Sequence, residues 1–445
     1  MNMSNLIIKT HKILLLIFDL ALFYLSLALT LILRYGQESF YAQWAKHFWP
    51  FTLIFIIWIM VLYVDGLYEL KFKFRFAKIV GSLIKLFIAN LFLAVIIFYF
   101  LSPLIGDIKP QRVLIIEILL ALAFILVWRG IFPILFRQKP IKALIIGKSN
   151  LATELINEIK AKPHLGYELI FEKIMPENIK DYCLDRKIFL IIVNADLQKS
   201  NYVSQKLYEC ISHQIDIVNI NRFYEKITLK VPVEDIEYGW FLDNLSSRPR
   251  IAFDVPKRAM DIILAGIGAI ISLIVYPFVY LALKIDDGGG LYSVQERVGK
   301  NNKPIKLLKF RTMSIANDGA KWGETKNVVT RVGKFLRKSR IDELPQLWNV
   351  LRGDLSLIGP RPEFAEPVAL YAKDISYYNI RHVIKPGLSG WAQIKQEGEP
   401  HHGIDINETR TKFSYDLYYI KNRNFLLDIS IALKTIRTLI LRKGI

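Results

Sequence analysis

Two adjacent carboxylates, Asp342 and Glu343, follow the most basic stretch of the chain. The cations just before them are Arg331, Lys334, Arg337, Lys338 and Arg340. A stiff basic segment, Gly359-Pro-Arg-Pro362, lies a little further along. Acids within this much positive charge suit chemistry on a phosphate. Cations neutralise the phosphate oxyanions, while a carboxylate can act as a nucleophile or bind a hard metal ion.

The same residues allow simpler interpretations. Pro345 and the apolar residues around it predict that a helix begins near Asp342, whose side chain could then serve only as an N-cap. The cations of the next basic stretch are Arg297, Lys300, Lys303 and Lys306. Taken singly, each is better interpreted as part of a solvated or headgroup-facing surface. His401-His402 lack further ligands at zinc spacing, so no zinc site is expected there.

The composition favours a membrane and anionic substrates. The chain has 445 residues, 53% of them apolar, and a formal charge of +19. This length allows two or three domains. A chain that is both basic and apolar suits an anionic membrane surface. The sequence has no zinc-finger spacing, RNA-recognition motif or basic heptads, so nucleic acid is not an expected partner. Cys183 and Cys210 are too few for a disulfide framework.

Four apolar runs open the chain, at residues 13–33, 48–64, 86–105 and 113–136. Each can span a bilayer as a helix. Cations follow the second run (Lys71, Lys73, Arg75, Lys78) and the fourth (Arg137, Lys139, Lys142). This asymmetry places both ends of the bundle in the cytoplasm. Asp19 and Glu117 lie within apolar runs and are expected to face the bundle interior.

A fifth apolar run, at residues 259–283, contains Asp261 and is interrupted at Tyr276-Pro277. A full span would carry the basic residues 297–340 across the membrane, against the positive-inside rule. Proline bends a helix. We therefore expect a re-entrant helix–break–helix over about 257–284 that returns to the same face. An ordinary fifth span is the alternative.

The middle of the chain alternates predicted strands and helices. Strands are predicted at residues 141–147, 167–173, 188–194 and 215–220, with helices at 151–161 and 202–212. This order indicates a small parallel sheet of Rossmann type. The turn Gly147-Lys-Ser-Asn-Leu-Ala152 has one glycine where the dinucleotide fingerprint has three. A structural or regulatory domain is therefore favoured over a nucleotide site. Residues 221–256 are predicted to be a connector.

These predictions together describe a membrane protein of three domains. Residues 1–138 form a four-helix transmembrane bundle, and residues 139–238 form a Rossmann-like α/β domain. Residues 239–445 form a mainly α catalytic domain that includes the re-entrant helix pair.

From Pro256 onward, short blocks occur in a fixed order. They are Lys257-Arg258-x-x-Asp261, Gln295-Glu-Arg-Val-Gly299, Lys309-Phe-Arg-Thr-Met313, Asp342-Glu-Leu-Pro345, Asn349, Gly359-Pro-Arg-Pro362, Lys385-Pro-Gly387, Gly390-Trp-Ala-Gln393 and Asp416-Leu-Tyr-Tyr419. In these blocks the chain resembles the bacterial sugar transferases, which are monotopic polyprenyl-phosphate glycosyl-1-phosphate transferases. The four apolar runs and the Rossmann-type segment resemble the large members of that family.

The resemblance implies transfer of a sugar 1-phosphate from a UDP-sugar to undecaprenyl phosphate, with release of UMP. This would be the first membrane step of surface polysaccharide or glycoconjugate synthesis, such as exopolysaccharide, lipopolysaccharide or capsule. Asp342 would form a covalent phosphosugar intermediate, and Glu343 would help to hold Mg²⁺. The site would lie on the cytoplasmic face of the bacterial inner membrane.

The resemblance also implies roles for other residues. The substrate-binding candidates are Lys309, Arg311, Arg337, Pro360, Arg361 and Pro362. The membrane anchor would comprise Arg258, Asp261 and Pro277, with the first two one turn apart and expected to pair.

Two segments depart from the family pattern. Asp286-Asp-Gly-Gly-Gly290 stands where members commonly have glycine-proline, and Ile394-Lys-Gln-Glu-Gly398 stands where many short members have asparagine-glycine-arginine. The second departure carries over no arginine and weakens any transfer of sugar specificity.

Two other functions are considered. One is a non-catalytic membrane scaffold for glycan assembly. The other is a membrane-bound nucleotide-sugar dehydratase, which needs a glycine-rich TGxxGxxG loop that the sequence lacks. Its tyrosine–lysine spacing occurs at Tyr202/Lys206 and Tyr280/Lys284. The bundle and middle domain could regulate, anchor or dimerise the protein, so a homodimer remains one expected assembly.

Overall fold

The computed structural model describes residues 3–68, 76–105, 110–136, 140–147, 149–194, 200–245, 250–314, 328–396 and 405–441. The predicted loop cations at 71–75, 137 and 139, and the His401-His402 pair, lie outside these residues. The chain divides into two compact units, Met1–Phe223 and Tyr224–Ile445. The three-domain boundaries remain a prediction.

The first four helices form the predicted membrane bundle. They are α1 (Met3–Tyr35), α2 (Phe40–Val64), α3 (Phe76–Ile105) and α4 (Pro110–Leu135). Each contains a stretch long and apolar enough to cross a bilayer, between 21 and 25 residues. Their apolar core includes a group of aromatic rings from α1, α2 and α3. Phe23, Phe55 and Trp58 contact one another, and Trp58 also contacts Phe87.

Both acids of the apolar runs face the bundle interior, as predicted. Asp19 on α1 forms an ion pair with Arg129 on α4, and Arg129 also donates to the carbonyl of Leu67 at 3.0 Å. Glu117 on α4 accepts hydrogen bonds from Ser26 at 2.6 Å and Thr30 at 3.2 Å. These polar contacts fix α1 against α4, because an unpaired polar group in this apolar interior would be costly.

The middle sheet is parallel, as the alternating pattern predicts. Its strands are β1 (Ile141–Ile146), β2 (Tyr167–Glu172), β3 (Leu190–Val193) and β4 (Asp216–Asn219), in the order β2-β1-β3-β4. The crossover helices are α5 (Asn150–Ala161), α6 (Ile179–Arg186) and α7 (Asn201–Ile211). No helix is predicted over α6, because only Ile179 and Cys183 of its residues are buried and the apolar period is weak.

The predicted connector at residues 221–256 is wrong. It contains most of α8 (Ile220–Thr228), all of α9 (Tyr238–Asn244) and the start of α10 (Ile251–Ser272). Val231 and Ile236, which lie between the first two of these helices, are buried. They pack with Phe413 and Leu417 in one apolar cluster. Because polar residues separate these buried positions along the sequence, the sequence shows no clear apolar period in this segment.

The helix–break–helix is confirmed. Helix α10 is followed by α11 (Tyr276–Asp286), and the two axes are bent by 54°. Pro277 is the second residue of α11. In the first turn of a helix proline loses no hydrogen bond, so it marks the restart of the helix after the break.

The rest of the second unit is mainly helical, as predicted. An antiparallel hairpin of β5 (Tyr292–Val298) and β6 (Pro304–Phe310) precedes α12 (Arg331–Ser339) and α13 (Gln346–Arg352). Strand β7 (Ser356–Ile358) pairs in parallel with β8 (Gly387–Ser389). The remaining helices are α14 (Ala365–Asp374), α15 (Trp391–Lys395), α16 (Ile406–Asn422) and α17 (Phe425–Leu441).

The expected pairing of Arg258 with Asp261 is wrong. Asp261 instead pairs with Lys257 at 2.9 Å, and the same ammonium contacts Asp428 of α17 at 3.1 Å. Arg258 donates to the carbonyls of Val350 at 2.6 Å and Leu351 at 2.8 Å. The C-terminal end of a helix carries partial negative charge, and its last carbonyls can accept further hydrogen bonds, so they attract a cation from the neighbouring helix.

The bundle ion pair yields a stability prediction. Asp19→Leu leaves the buried Arg129 without its carboxylate, and breaking such a pair typically costs about 3–5 kcal/mol. We expect a lower melting temperature of the detergent-purified protein. The double variant Asp19→Leu/Arg129→Leu should recover part of the loss, because it leaves no buried charge. Glu38→Gln, at an exposed position, is the control. A double variant less stable than the single one would contradict this interpretation.

Candidate active site

Asp342 lies in a short turn between two helices. Helix α12 ends at Ser339, Arg340 adopts a left-handed φ of +57°, and Ile341–Glu343 form one turn of 3₁₀ helix. Helix α13 begins only at Gln346 and has no side-chain cap. The N-cap interpretation of Asp342 is therefore wrong.

The Asp342 side chain is buried, with 7% of the residue exposed. Its Oδ1 atom has no hydrogen-bond partner among the described residues. A buried acceptor without a partner is unfavourable, and such groups concentrate at functional sites.

Glu343 is the point at which the cations converge. Its Oε1 atom lies 2.9 Å from Nη2 of Arg361, 3.4 Å from Nζ of Lys309 and 3.5 Å from Nη1 of Arg340. Burial alone would raise the pKa of this carboxyl, but Arg361, Lys309 and Arg340 outweigh it and lower the pKa to about 2. Glu343 is therefore ionised throughout the physiological range.

The neighbouring carboxyl behaves in the opposite way. Burial raises the pKa of Asp342, the negative charge of Glu343 raises it further, and nearby Lys309, Arg340 and Arg337 only partly offset this. Two adjacent carboxyl groups with pKa values moved in opposite directions are typical of sites that give them different chemical roles.

Three of the four predicted phosphate-binding cations act on this pair. Lys309 comes from β6 and Arg361 follows β7, and both contact Glu343. Arg337 comes from α12 and donates its Nε–H to Thr312 Oγ1 at 3.0 Å. Its positive charge is among those that lower the pKa of Asp342.

Arg311, the fourth candidate, is engaged elsewhere. Its guanidinium holds the carboxylate of Asp287 with two hydrogen bonds and donates to the carbonyl of Gly290 at 2.7 Å. A Cβ on Gly289 would lie 2.2 Å from the guanidinium carbon, so only glycine leaves room for this contact. The segment that departs from the family pattern is thus the one that holds Arg311.

The Gly359-Pro360-Arg361-Pro362 segment is fixed by its backbone. Gly359 N–H donates to the carbonyl of Ser389 at 2.8 Å, and Gly387 N–H donates to the carbonyl of Pro360 at 2.9 Å. A Cβ on Gly387 would lie 2.1 Å from the Gly359 nitrogen. The two backbone segments cross so closely here that glycine is required. The crossing also sets the direction in which Arg361 projects.

Buried Arg381 supports the same segment from beneath. It donates to the carbonyl of Arg361 at 3.2 Å and forms ion pairs with Asp416 at 2.7 Å and Glu363 at 2.8 Å. Asp416 belongs to one of the sequence blocks, but Arg381 was not singled out in the sequence. An isolated arginine between Ile380 and His382 gives no local signal.

Asn349 is a second residue whose position matters. Its Oδ1 accepts from Leu308 N–H at 3.0 Å, and its Nδ2 donates to the carbonyl of Lys306 at 2.7 Å. One amide thus binds the free edge of β6 as a neighbouring strand would. Because Lys309 lies on β6 directly after Leu308, this contact sets its position relative to Glu343.

A small cavity adjoins Glu343. It is lined by Arg297, Leu307, Lys309, Gln346, Arg361, Pro362, Gly387 and Leu388. Of these, Arg297 is the one that the sequence interpretation assigned to a solvated surface. The guanidinium of Arg297 instead stacks on Phe364, 3.2 Å from the ring centroid. In the sequence, its place in the Gln295–Gly299 block was the signal that could have linked Arg297 to the site.

Comparison with known proteins identifies the second unit. Residues 252–442 match the family model described as bacterial sugar transferase. The chain is 39% identical over 258 residues to the UDP-N-acetylgalactosamine-undecaprenyl-phosphate N-acetylgalactosaminephosphotransferase of Aeromonas hydrophila, covering 56% of this chain and 58% of that protein.

Two further relatives carry the name UDP-glucose:undecaprenyl-phosphate glucose-1-phosphate transferase. The Escherichia coli K12 protein is 39% identical over 40% of this chain and 39% of its own length. The Caulobacter vibrioides protein is 36% identical over 43% of this chain and 72% of its own length. The shared region includes the carboxylate pair and the cations around it, and the chain belongs to the bacterial sugar transferase family.

Proposed function

We propose that this protein transfers a sugar 1-phosphate from a UDP-sugar to undecaprenyl phosphate, releasing UMP and forming a polyprenyl diphosphate sugar. The observation that carries the proposal is the buried, unpaired Oδ1 of Asp342 beside a cluster of cations. The names of the relatives support the same substrate classes. The reaction would begin the synthesis of a surface polysaccharide or glycoconjugate.

The reaction proceeds in two displacements. An oxygen of the Asp342 carboxylate attacks the sugar-bearing phosphorus, and the bond from that phosphorus to the bridging oxygen breaks, leaving its electron pair on UMP. A phosphate oxygen of the acceptor then attacks the same phosphorus, and the aspartyl–phosphorus bond breaks. The carboxylate is regenerated. Two steps suit a soluble donor and a lipid acceptor, which then need not be bound together.

The cations stabilise charge that develops on the phosphates. Arg361 and Lys309 meet at Glu343, and Arg337 adds positive charge on the Asp342 side. Arginine binds phosphate oxygens in pairs through its planar fork. Because these groups are held by α12, α13, β6 and the β7 loop, little reorganisation is needed during reaction.

Mg²⁺ is the proposed cofactor. Glu343 would supply carboxylate oxygens, which are the donors that Mg²⁺ prefers, and it stays ionised because its pKa is about 2. Among the described residues, no group of three or more acidic, histidine or cysteine side chains is arranged to hold a metal ion, so phosphate oxygens and water would complete the coordination. The bound ion would neutralise the diphosphate.

The bent helix pair supports a re-entrant membrane anchor. Near the bend the side chains are apolar and strongly exposed, including Ile270 at 69% and Ile274 at 69%. The opposite end of α10 is polar, with Lys257 and Asp261 buried among charged partners. A helix apex inserted in one leaflet satisfies both ends. We place the site on the cytoplasmic face of the inner membrane, following the cation-rich loops.

The nucleophile is tested by Asp342→Asn. The amide cannot form the phosphosugar intermediate, so UMP release should fall by on the order of 10⁴-fold or more. Purified protein receives Mg²⁺, undecaprenyl phosphate and a panel of UDP-sugars, including the N-acetylgalactosamine and glucose donors. Labelled sugar should remain on the wild-type protein when the acceptor is omitted.

The control for this test is Asp374→Asn, which changes a carboxylate at the end of α14. UMP release that persists in Asp342→Asn would exclude Asp342 as the nucleophile. Full biological function of Asp342→Asn in cells, at normal protein level, would favour the scaffold. Tightly bound NAD in the purified protein would favour the dehydratase.

The raised pKa of Asp342 predicts the acid limb of the pH profile. Only the carboxylate attacks, so kcat/KM falls as the pH drops through this pKa. Arg340 is one of the cations that lower it. Arg340→Asn therefore raises the pKa further and should move the acid limb to higher pH. Asparagine tolerates the left-handed backbone at this position. The exposed Lys338→Gln is the control. If the acid limb stays at the same pH or moves to lower pH, the assignment of this limb to Asp342 is contradicted.

The role of Asn349 is tested by Asn349→Asp. The carboxylate accepts from Leu308 but cannot donate to the Lys306 carbonyl, and it faces Asp354 at a position where the amide donates at 3.2 Å. Displacement of Lys309 should lower kcat by roughly 10²-fold. The exposed Asn301→Asp is the matched control. A wild-type kcat in a folded Asn349→Asp protein would show that Asn349 does not position Lys309 for the reaction.

A further inference from the structure

We infer that Arg297 is a phosphate ligand of the cavity beside Glu343, where it binds a phosphate group together with Lys309 and Arg361. Nothing in the sequence blocks or in the names of the relatives assigns this role. The inference rests on the proposed function, since it names a subsite of the same reaction.

The partners of the Arg297 side chain among the described residues are neutral. Its Nη2–H donates to the neutral Gln295 side chain at 2.9 Å, and its guanidinium stacks on Phe364. Its Nε is buried without a hydrogen-bond partner among the described residues. In that part of the chain, no carboxylate forms an ion pair with Arg297. An arginine held in this way is short of one anionic partner.

Two further cations lie near Arg297. Lys309 and Arg361 line the same cavity. Burial lowers the pKa of Arg297 to about 10, and the positive charge of Arg361 contributes to this shift. The nearby carboxylate of Glu343 already contacts Lys309, Arg340 and Arg361. The carboxylates of Glu363, Glu343 and Glu366 oppose this shift only in part. Among the described residues none of the three forms an ion pair with Arg297, so an anionic ligand in the cavity would balance its charge.

The shape of the cavity suits a phosphate group. The ring of Phe364 fixes the plane of the guanidinium, so its unoccupied N–H groups keep one direction. Leu307, Pro362 and Leu388 supply apolar walls that exclude water and strengthen charged hydrogen bonds. A planar donor fork matches two oxygens of a phosphate. In the proposed reaction, this phosphate belongs either to the donor diphosphate or to the terminal phosphate of the acceptor.

The test compares Arg297→Gln and Arg297→Lys with the wild type, with the exposed Lys303→Gln as the control. Apparent KM is measured separately for the UDP-sugar and for undecaprenyl phosphate in the purified full-length protein. We expect Arg297→Gln to raise one of the two KM values by about tenfold or more, as for the loss of a charged hydrogen bond. Arg297→Lys keeps the charge but loses the fork, so it should give an intermediate value.

The substrate whose KM rises identifies the source of the phosphate. Retained melting temperature and an unchanged acid limb in Arg297→Gln would distinguish a lost ligand from a distorted site. Both KM values within twofold of wild type in a folded Arg297→Gln would overturn the inference. If that variant does not fold, wild-type KM values for both substrates in Arg297→Lys would overturn it instead.

Failure of the proposed function leads to a different pattern. If the wild type releases UMP from no donor, inorganic phosphate and UMP are titrated calorimetrically against wild type and Arg297→Gln. Binding that weakens by about tenfold in the variant supports the phosphate subsite independently of the reaction. Equal binding, or no binding to the wild type, overturns it.

Discussion

The contact on which this site depends most is the carboxylate of Glu343 among its cations. Lys309, Arg340 and Arg361 come from three different segments, yet they approach one oxygen within 3.5 Å. Cations this close would repel one another without a shared counter-charge. Glu343 therefore holds together the groups that a phosphate would need. The same charge raises the pKa of Asp342, so one carboxylate both assembles the site and tunes its neighbour.

Around this contact the chain uses rigid supports rather than long loops. Arg381 holds the backbone carbonyl of Arg361, and its own charge is satisfied by the carboxylates of Asp416 and Glu363. Asn349 holds β6 by both ends of a single amide. Each support acts on main-chain atoms next to a cation, so the position of that cation is set before any ligand arrives. This is the condition under which electrostatic stabilisation is most effective, because no reorganisation opposes it.

The sequence predicts those features that repeat along the chain or that occur together in a block. The four apolar runs predicted the bundle, and the alternation of strands and helices predicted the parallel sheet. The sequence blocks pointed to Asp342 and Glu343 as the central pair of the site. The local sequence pattern could not predict the partners of Arg258. These are the carbonyls of Val350 and Leu351 at the end of α13, far from Arg258 in sequence, and only the fold brings them together. The local pattern also could not predict the burial of Arg297, which depends on Phe364 from a distant segment.

The segment that departs from the family pattern shows how local charge can replace a stiff turn. Asp287 holds Arg311 at the end of β6, and the adjacent Asp286 accepts from the N–H of Val332 at the start of α12. Beneath these contacts, Leu283 of α11 and Leu336 of α12 share one apolar cluster. Helix α11 is thereby joined to α12, the helix that ends just before Asp342. A displacement of α11 would be passed to α12 through these contacts, because packed apolar side chains move together. The orientation of the bent helix pair and the position of Asp342 are consequently coupled in this chain.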